Sequence, residues 1–226
     1  MIKDNKVTAL VPCLNEGKRI GSILSSLVTS PLIDEILVVD GGSEDDTLKV
    51  VGTFRNVKVI VSNLKKGKGN DVRYGLKFIK TPITFMCDVD VVGINQNDIE
   101  RMIVPVKKGE VDVCLGIVFS GGKFIQFFRR FIMVLTGERV MKTELLKKAI
   151  DSPYADGWGI ESYMNFYFRH HNIRVKKVDI FVKNVWHMEK VGFLRWIEER
   201  LLLFTKMYSK IFLLEIKTAL GVKGNY

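Results

Sequence analysis

Residues 83–90 read Ile-Thr-Phe-Met-Cys-Asp-Val-Asp, an apolar strand pattern that ends in two carboxylates one residue apart. The run Ile83, Phe85, Met86 and Cys87 suits a strand buried on both faces of a parallel sheet. Ligands of open α/β sheets bind outside the carboxyl ends of such strands, which is where Asp88 and Asp90 emerge. Two neighbouring carboxylates repel each other unless a cation neutralises them. Oxygen ligands suit Mg²⁺ or Mn²⁺, and Mg²⁺ recruits substrate phosphates to complete its shell. Taken alone, Asp88-Val89-Asp90 is more commonly a solvated acidic turn, so the neighbouring strand ends decide between the two.

The same pattern recurs on the amino-terminal side. Val7–Val11 is predicted as a first strand, with a helix over Gly17–Val28 behind it. A second strand, Glu35–Val39, precedes a helix starting near Asp45, and a third, Val57–Val61, precedes a helix over Asn70–Ile79. After the Asp88/Asp90 strand, a helix near Asp98–Val106 leads to a fifth strand at Val111–Val118. This alternation predicts βαβ units and a mostly parallel α/β sheet flanked by helices. The second half is less regular. Helices are expected over Phe124–Leu135, Lys142–Ile150 and Gly159–His170, and a strand over Arg174–Val182. From Val191 to about Leu220 an amphipathic helix carries Leu194, Ile197, Leu201, Phe204, Tyr208 and Ile211 on one face. We expect one domain over 1–226. A nucleotide-binding half spans 7–118, an acceptor and catalytic half 119–190, and the C-terminal helix 191–226.

Composition narrows the class. At 226 residues, 47% hydrophobic and 27% charged, the chain suits a globular α/β domain with a full core. No stretch approaches the roughly 20 apolar residues of a membrane span, and the opening Met1–Lys6 is mostly polar. Cys13, Cys87 and Cys114 lie in apolar surroundings without metal-ligand spacing, as reduced thiols of a cytoplasmic protein would. The net charge of +10 favours anionic partners. Lys and Arg are scattered and no nucleic-acid-binding motif occurs, so nucleotide phosphates or an anionic membrane surface are expected instead of nucleic acid.

Each early strand delivers a polar cluster to the same rim. Pro12-Cys13-Leu14-Asn15-Glu16 follows the first strand, where Glu16 suits a ribose hydroxyl or a base, or else a helix dipole. Asp40-Gly41-Gly42-Ser43 follows the second, with glycines that admit a flat ligand. Lys65-Lys66-Gly67-Lys68-Gly69 follows the third; it lacks Walker spacing, but Lys68 can reach a base or phosphate. Together with Asp88 and Asp90 these ends describe a nucleotide-plus-metal site.

The ordered motifs "PCLNEG", "VVDGGSEDDT", "KGKGN" and "CDVD" resemble those of the GT-A-fold glycosyltransferases that use nucleotide-sugar donors. "TGERVMKTELL", "GWGIE" and the histidine of "VWHMEK" resemble the branch containing glucosyl-3-phosphoglycerate synthase and mannosylglycerate synthase, and more loosely the dolichyl-phosphate mannose synthases. The resemblance covers roughly residues 7–190. It implies that Pro12, Cys13, Leu14 and Glu16 hold base and ribose, and that Asp40, Gly41 and Lys68 contact the nucleotide of a UDP- or GDP-linked sugar. It implies that Asp88 faces the ribose beside the metal, and that Asp90 and His187 hold Mg²⁺ or Mn²⁺. It also implies that Glu138 and Glu161 face sugar and acceptor; Asp156 is the acid we add to them.

Two departures stand out. The segment between Cys114 and Leu135 is shorter than in the phosphoglycerate branch, leaving Gly121-Gly122-Lys123 and Arg129-Arg130 to grip an anionic acceptor. The Gly-Phe-Arg of the dolichyl branch is Gly137-Glu138-Arg139 here. The expected activity is metal-dependent sugar transfer to an anionic acceptor such as a phosphoglycerate-like molecule. The alternatives are a peripheral membrane transferase acting on a polyprenyl phosphate at the inner face of the membrane, a nucleotidyltransferase, and a non-catalytic nucleotide-binding module. Phe193, Trp196, Leu201–Phe204, Ile211 and Phe212, interleaved with Arg195, Arg200, Lys206 and Lys210, suit an interfacial helix. They suit equally a helix packed on the domain or on a second subunit of a homodimer.

Overall fold

The computed structural model describes residues 5–62, 64, 67–118, 136–184, 213–216 and 220, the side chains of Trp158, Lys183 and Asn184 excepted. His187, the helix expected over Phe124–Leu135, the basic pairs within 119–135 and most of the C-terminal helix lie outside these residues.

Seven strands form one sheet in the order β3-β2-β1-β4-β7-β6-β8. They are β1 Val7–Cys13, β2 Glu35–Asp40, β3 Val57–Val61, β4 Ile83–Met86, β6 Val113–Val118, β7 Arg139–Lys142 and β8 Val175–Ile180. A separate two-stranded ladder pairs β5 Val91–Val92 with β9 Lys183–Asn184. β1 is buried along its whole length, as its apolar run requires, and pairs in parallel with β2 and β4. Only β7 runs against its neighbours, antiparallel to both β4 and β6.

The faces are covered by helices α1 Ile20–Val28, α2 Thr47–Val51, α3 Lys68–Gly75, α4 Gln96–Lys107, α5 Thr143–Ala149 and α6 Ile160–His170. Alternation along β1 divides its side chains between two cores: Val7, Ala9 and Val11 meet α1 and α4, and Leu10 meets α3. On the first face, α1 buries Ile20, Ile23, Leu24 and Leu27, an i, i+3, i+4, i+7 stripe. Each such side chain removed from water stabilises the fold by roughly 1.5–3 kcal/mol. Asn95 caps α4 by accepting from the Asp98 amide at 2.9 Å. The second face is built by α3, α5 and α6, with Val72, Leu146, Ile160, Met164 and Phe168 buried.

The α/β class, the five leading strands and the helices between them agree with the sequence expectation. The helix expected near Asp45 is a five-residue turn from Thr47. The one over Asn70–Ile79 is α3 from Lys68 followed by a 3-10 turn at Leu76–Phe78. The helix expected over Lys142–Ile150 starts at Thr143, because Arg139–Lys142 is claimed by β7. That strand was not expected: a run of four residues opening on Arg139 has too little alternation to announce itself.

Candidate active site

The parallel strands β1 to β4 end on one rim, and the reversed strand β7 begins there. Gly137-Glu138-Arg139 is thereby laid beside Asp88 and Asp90 from the opposite chain direction. One carboxylate oxygen each from Asp88, Asp90 and Glu138 can be chosen so that all lie within 4.8 Å of one another. A Cβ at position 137 would overlap the Asp88 carboxylate where it now stands, so the glycine leaves room for that approach. Glu138 is 2% exposed. Thr136 Oγ1 donates to its Oε2 at 2.5 Å, and its Oε1 has no hydrogen-bond partner among the described residues. Burial, and next the charge of Asp88, push the Glu138 carboxyl up to about 8.

Lys68, at the start of α3, joins the two halves of the rim. Its Nζ lies 2.6 Å from Asp88 Oδ1 and 2.5 Å from Glu161 Oε1. Burial works against its charge, but Asp88 and Glu161 outweigh that and hold the ammonium above its usual range. Glu161, in the first turn of α6, is 12% exposed; this partial burial works against its charge, yet Lys68 and Arg139 keep its carboxyl below the ordinary value. Arg139 is fully buried; its Nε donates to the Thr136 carbonyl at 2.7 Å and its Nη1 to Asn165 Oδ1 at 2.9 Å. Burial lowers it to about 10, against the pull of Glu161 and Glu138.

The Lys-Gly-rich loop owes its glycines to packing. A Cβ at Gly69 would overlap the Ala155 carbonyl oxygen, so the start of α3 sits directly on the 155–157 backbone. Arg73 grips the same segment, donating from Nη2 to the carbonyls of Ile150 (2.8 Å) and Ser152 (2.9 Å). Its Nη1 pairs with Asp156 at 2.5 Å, so the acid expected beside sugar and acceptor is bonded to a structural arginine.

Around the ends of β1 and β2, Pro12 and Cys13 are buried and Leu14 is 53% exposed on the rim. Burial, and then Asp40, push the Cys13 thiol far up, so it is inert. Glu16 pairs with Arg19 at 2.7 Å, and its amide donates to Thr47 Oγ1 at 2.8 Å. The Asp40 carboxylate is fully buried and turned into its own loop. Its Oδ1 accepts from the Gly42 and Ser43 amides at 2.9 and 2.8 Å, and its Oδ2 from Ser43 Oγ at 2.5 Å. It therefore shapes the turn that presents Gly41, whose amide bonds to the Cys13 carbonyl at 2.9 Å. Under Gly41 lies Asp71, buried and bonded to Ser62 at 2.5 Å; burial raises its carboxyl.

The structure thus brings Lys68, Asp88, Asp90, Glu138 and Glu161 to one place and sets Asp156 beside Arg73. His187 lies outside the described residues. The other two histidines sit at the end of α6: His170 Nε2 is 3.0 Å from Glu215 and His171 Nδ1 is 2.9 Å from the Tyr167 carbonyl. Sequence reasoning missed Arg139, Arg73 and Asp71. The Gly-Glu-Arg departure pointed at Arg139, but nothing local marked the other two. Three carboxylates with one unpartnered buried oxygen form a hard donor set that fits Mg²⁺ or Mn²⁺.

Residues 8–188 match the family described as Glycosyl transferase family 2. The chain belongs to that family. As a family 2 glycosyltransferase it is 24% identical to the uncharacterized protein MJ0544 of Methanocaldococcus jannaschii, over 92% of this chain and 99% of that one. It is 33% identical to the glucosyl-3-phosphoglycerate synthase of Petrotoga mobilis over 41% of this chain and 32% of that enzyme. The glycosyltransferase spans less than two thirds of the curated glucosyl-3-phosphoglycerate synthases it matches, 58% in Mycobacterium tuberculosis. Among solved structures, the M. tuberculosis glucosyl-3-phosphoglycerate synthase in complex with Mn²⁺ and UDP-glucose superposes with a TM-score of 0.69 at 20% identity. That match covers 83% of this chain and 74% of the other, and at such identity it establishes the shared fold. Among the described residues no helix is long and apolar enough to cross a membrane.

Proposed function

We propose that this glycosyltransferase moves a sugar from a nucleoside diphosphate-sugar, with UDP-glucose the first donor to test, to a small anionic acceptor carrying phosphate and carboxylate. One observation carries the reading. Lys68 bonds Asp88 and Glu161 at once, tying the third strand end, the Asp88/Asp90 pair and the acceptor-side helix into a single charged centre. The M. tuberculosis enzyme of similar fold has been solved with Mn²⁺ and UDP-glucose, and also with phosphoglyceric acid, which supports the choice of donor and acceptor.

On this reading Leu14 and the Gly41 turn receive the base, Glu16 and Asp88 the ribose, and Lys68 the diphosphate. The divalent cation, held by Asp90 with Asp88 beside it and His187 as a further candidate, supplies Lewis-acid stabilisation of the charge on the departing diphosphate. Lys68 is already desolvated and adds positive charge where that negative charge develops. Glu161 stays ionised between Lys68 and Arg139, so it accepts hydrogen bonds from sugar or acceptor hydroxyls. The net charge of +10 draws anionic substrates toward the rim.

The polyprenyl-phosphate alternative placed the C-terminal helix at a lipid surface. Of its described turn, Leu214 is fully buried and Glu215 pairs with Arg169 at 2.5 Å and with His170, while Leu213 and Ile216 are exposed; the contacts to α6 support a helix docked on the domain. We therefore favour the small acceptor. UDP- and GDP-sugars are to be incubated with Mn²⁺ and 3-phosphoglycerate, and nucleoside diphosphate release followed with and without the acceptor. Acceptor-dependent release from UDP-glucose is expected. Release that no phosphorylated small acid stimulates, but that a polyprenyl phosphate does, overturns the assignment.

A further inference from the structure

Glu138 occupies a position that a sugar- or acceptor-facing acid should not. It is 2% exposed, and its backbone is pinned from below, where the Gly116 amide donates to its carbonyl at 2.9 Å. A covered carboxylate has no open side on which to meet an incoming hydroxyl. What it does meet is the Asp88/Asp90 pair, with carboxylate oxygens of all three inside 4.8 Å of one another. Thr136 takes one of its oxygens, and the other is buried without a partner among the described residues. A buried carboxylate oxygen without a donor is costly, and native structures retain one where an ion or another ligand completes it.

Charge points the same way. Asp88, Asp90, Glu138 and Glu161 share the centre with Lys68 and Arg139. Carboxylates gathered this closely repel one another, and a divalent cation between them relieves that repulsion. Two rim aspartates alone, one of them already tied to Lys68, make a weak site that needs a diphosphate to complete it. A third carboxylate changes that.

We propose that Glu138 is the third carboxylate arm of the cation site, and that it lets the protein take up a divalent cation before any nucleotide binds. The inference rests on the metal-dependent reading above. The reversed strand β7 is the device that makes it possible, since only a strand entering at the rim can set a glutamate there immediately after the glycine on which Asp88 rests.

The test is Mn²⁺ binding to the full-length protein, followed by calorimetry and by the loss of the free Mn²⁺ paramagnetic resonance signal, with and without UDP. Wild type is expected to bind Mn²⁺ without UDP. Glu138→Gln, which keeps the shape and the Thr136 bond, should weaken that binding by about 10- to 100-fold, the usual effect of losing a group that supports a metal site. Asp112→Asn, which removes an equal charge far from the rim, should leave it unchanged. If Glu138→Gln does not fold, Glu138→Asp is measured instead. It keeps the charge but draws it back by one methylene, and it too should bind more weakly. Wild-type uptake of Mn²⁺ only in the presence of UDP, or a folded Glu138 variant that binds as tightly as wild type, overturns the inference and leaves the proposed function standing. No Mn²⁺ binding even with UDP overturns the metal-dependent function itself.

Discussion

The two ends of the sheet handle charge in opposite ways. At the carboxyl end, Lys68, Glu138, Arg139 and Glu161 are withdrawn from water, and Lys68, Arg139 and Glu161 are bonded to side chains from distant parts of the chain. At the amino end, charged groups stay partly in water and close off backbone. Asp34 accepts from the Val7 amide at 2.8 Å, and Arg174 bonds the Glu110 and Gly109 carbonyls while pairing with Asp112 at 3.0 Å. Burying ions costs several kcal/mol each unless geometry repays it, and apolar residues fill the same space more cheaply. The amino end therefore shows what stability requires of a sheet edge. The carboxyl end shows what this fold tolerates so that charges stand ready for a substrate.

Substitutions at the two ends should separate accordingly. The largest effect is expected from Asp90→Ala, which should lower sugar transfer by at least about 10³-fold, since it removes charge from the centre where the leaving group departs. Its melting temperature should move little, because the side chain lies at the rim and contributes no apolar core. Donor turnover beside a thermal melt reads both, and turnover near wild type would reduce the carboxylate pair to an acidic turn.

Next is Lys68→Ala, which strands two carboxylates in a desolvated place and should cost about 3 kcal/mol of stability in denaturant titrations. A divalent cation can stand in for the lost ammonium, so Mn²⁺ should raise the melting temperature of this variant more than that of wild type. Equal increments would mean that the cation and Lys68 do not share a site.

Gly69→Ala is third. Its methyl group must push the Ala155 carbonyl away, an overpacking penalty of about 1–3 kcal/mol, and should loosen the 155–157 segment that precedes Glu161. Activity should fall together with stability, unlike in Asp90→Ala.

The smallest effect belongs to Asp112→Asn at the amino end, where partial exposure screens the pair with Arg174. The Arg174 hydrogen bonds, against a small cost of burial, hold the Asp112 carboxyl below its ordinary value of 3.8. With the folded value depressed, the contribution to stability is fully present above pH 3.8 and is lost as pH falls below it. Acid titrations of wild type and variant should therefore converge at low pH and separate above it, with turnover the same in both. A turnover defect in this variant would blur the division between the two ends.

Legibility in the sequence followed the same division between local and non-local causes. The apolar runs that end in Asp40 and Asp88 were readable because a fully buried parallel strand leaves a continuous signature. Lys68 was readable through its flanking glycines, although these turn out to serve close backbone packing rather than a phosphate cradle. Strand β7 was not readable, and its consequences went with it. Whether Glu138 faces acceptor or metal depends on strand direction, which is fixed by pairing with Ile83–Met86 and Val113–Leu115 rather than by its neighbours in sequence. The pairing of Asp156 with Arg73 was beyond the same limit, since Arg73 lies far from it along the chain. Asp40 did end its strand at the rim as expected, but its carboxylate is satisfied by amides two and three residues later.

The reversed strand also bears on how the protein can be altered. β6 leaves the sheet at Val118 on the carboxyl rim, and β7 re-enters at Arg139 on that same rim. Both ends of the intervening segment therefore stand on one rim, so its length can change without shifting the register in which Val113–Leu115 pairs with β7. Closing a loop costs only about 0.6 kcal/mol more for each doubling of its length. Residues 119–135 are therefore the place where the length of the chain can be varied at least cost to the sheet.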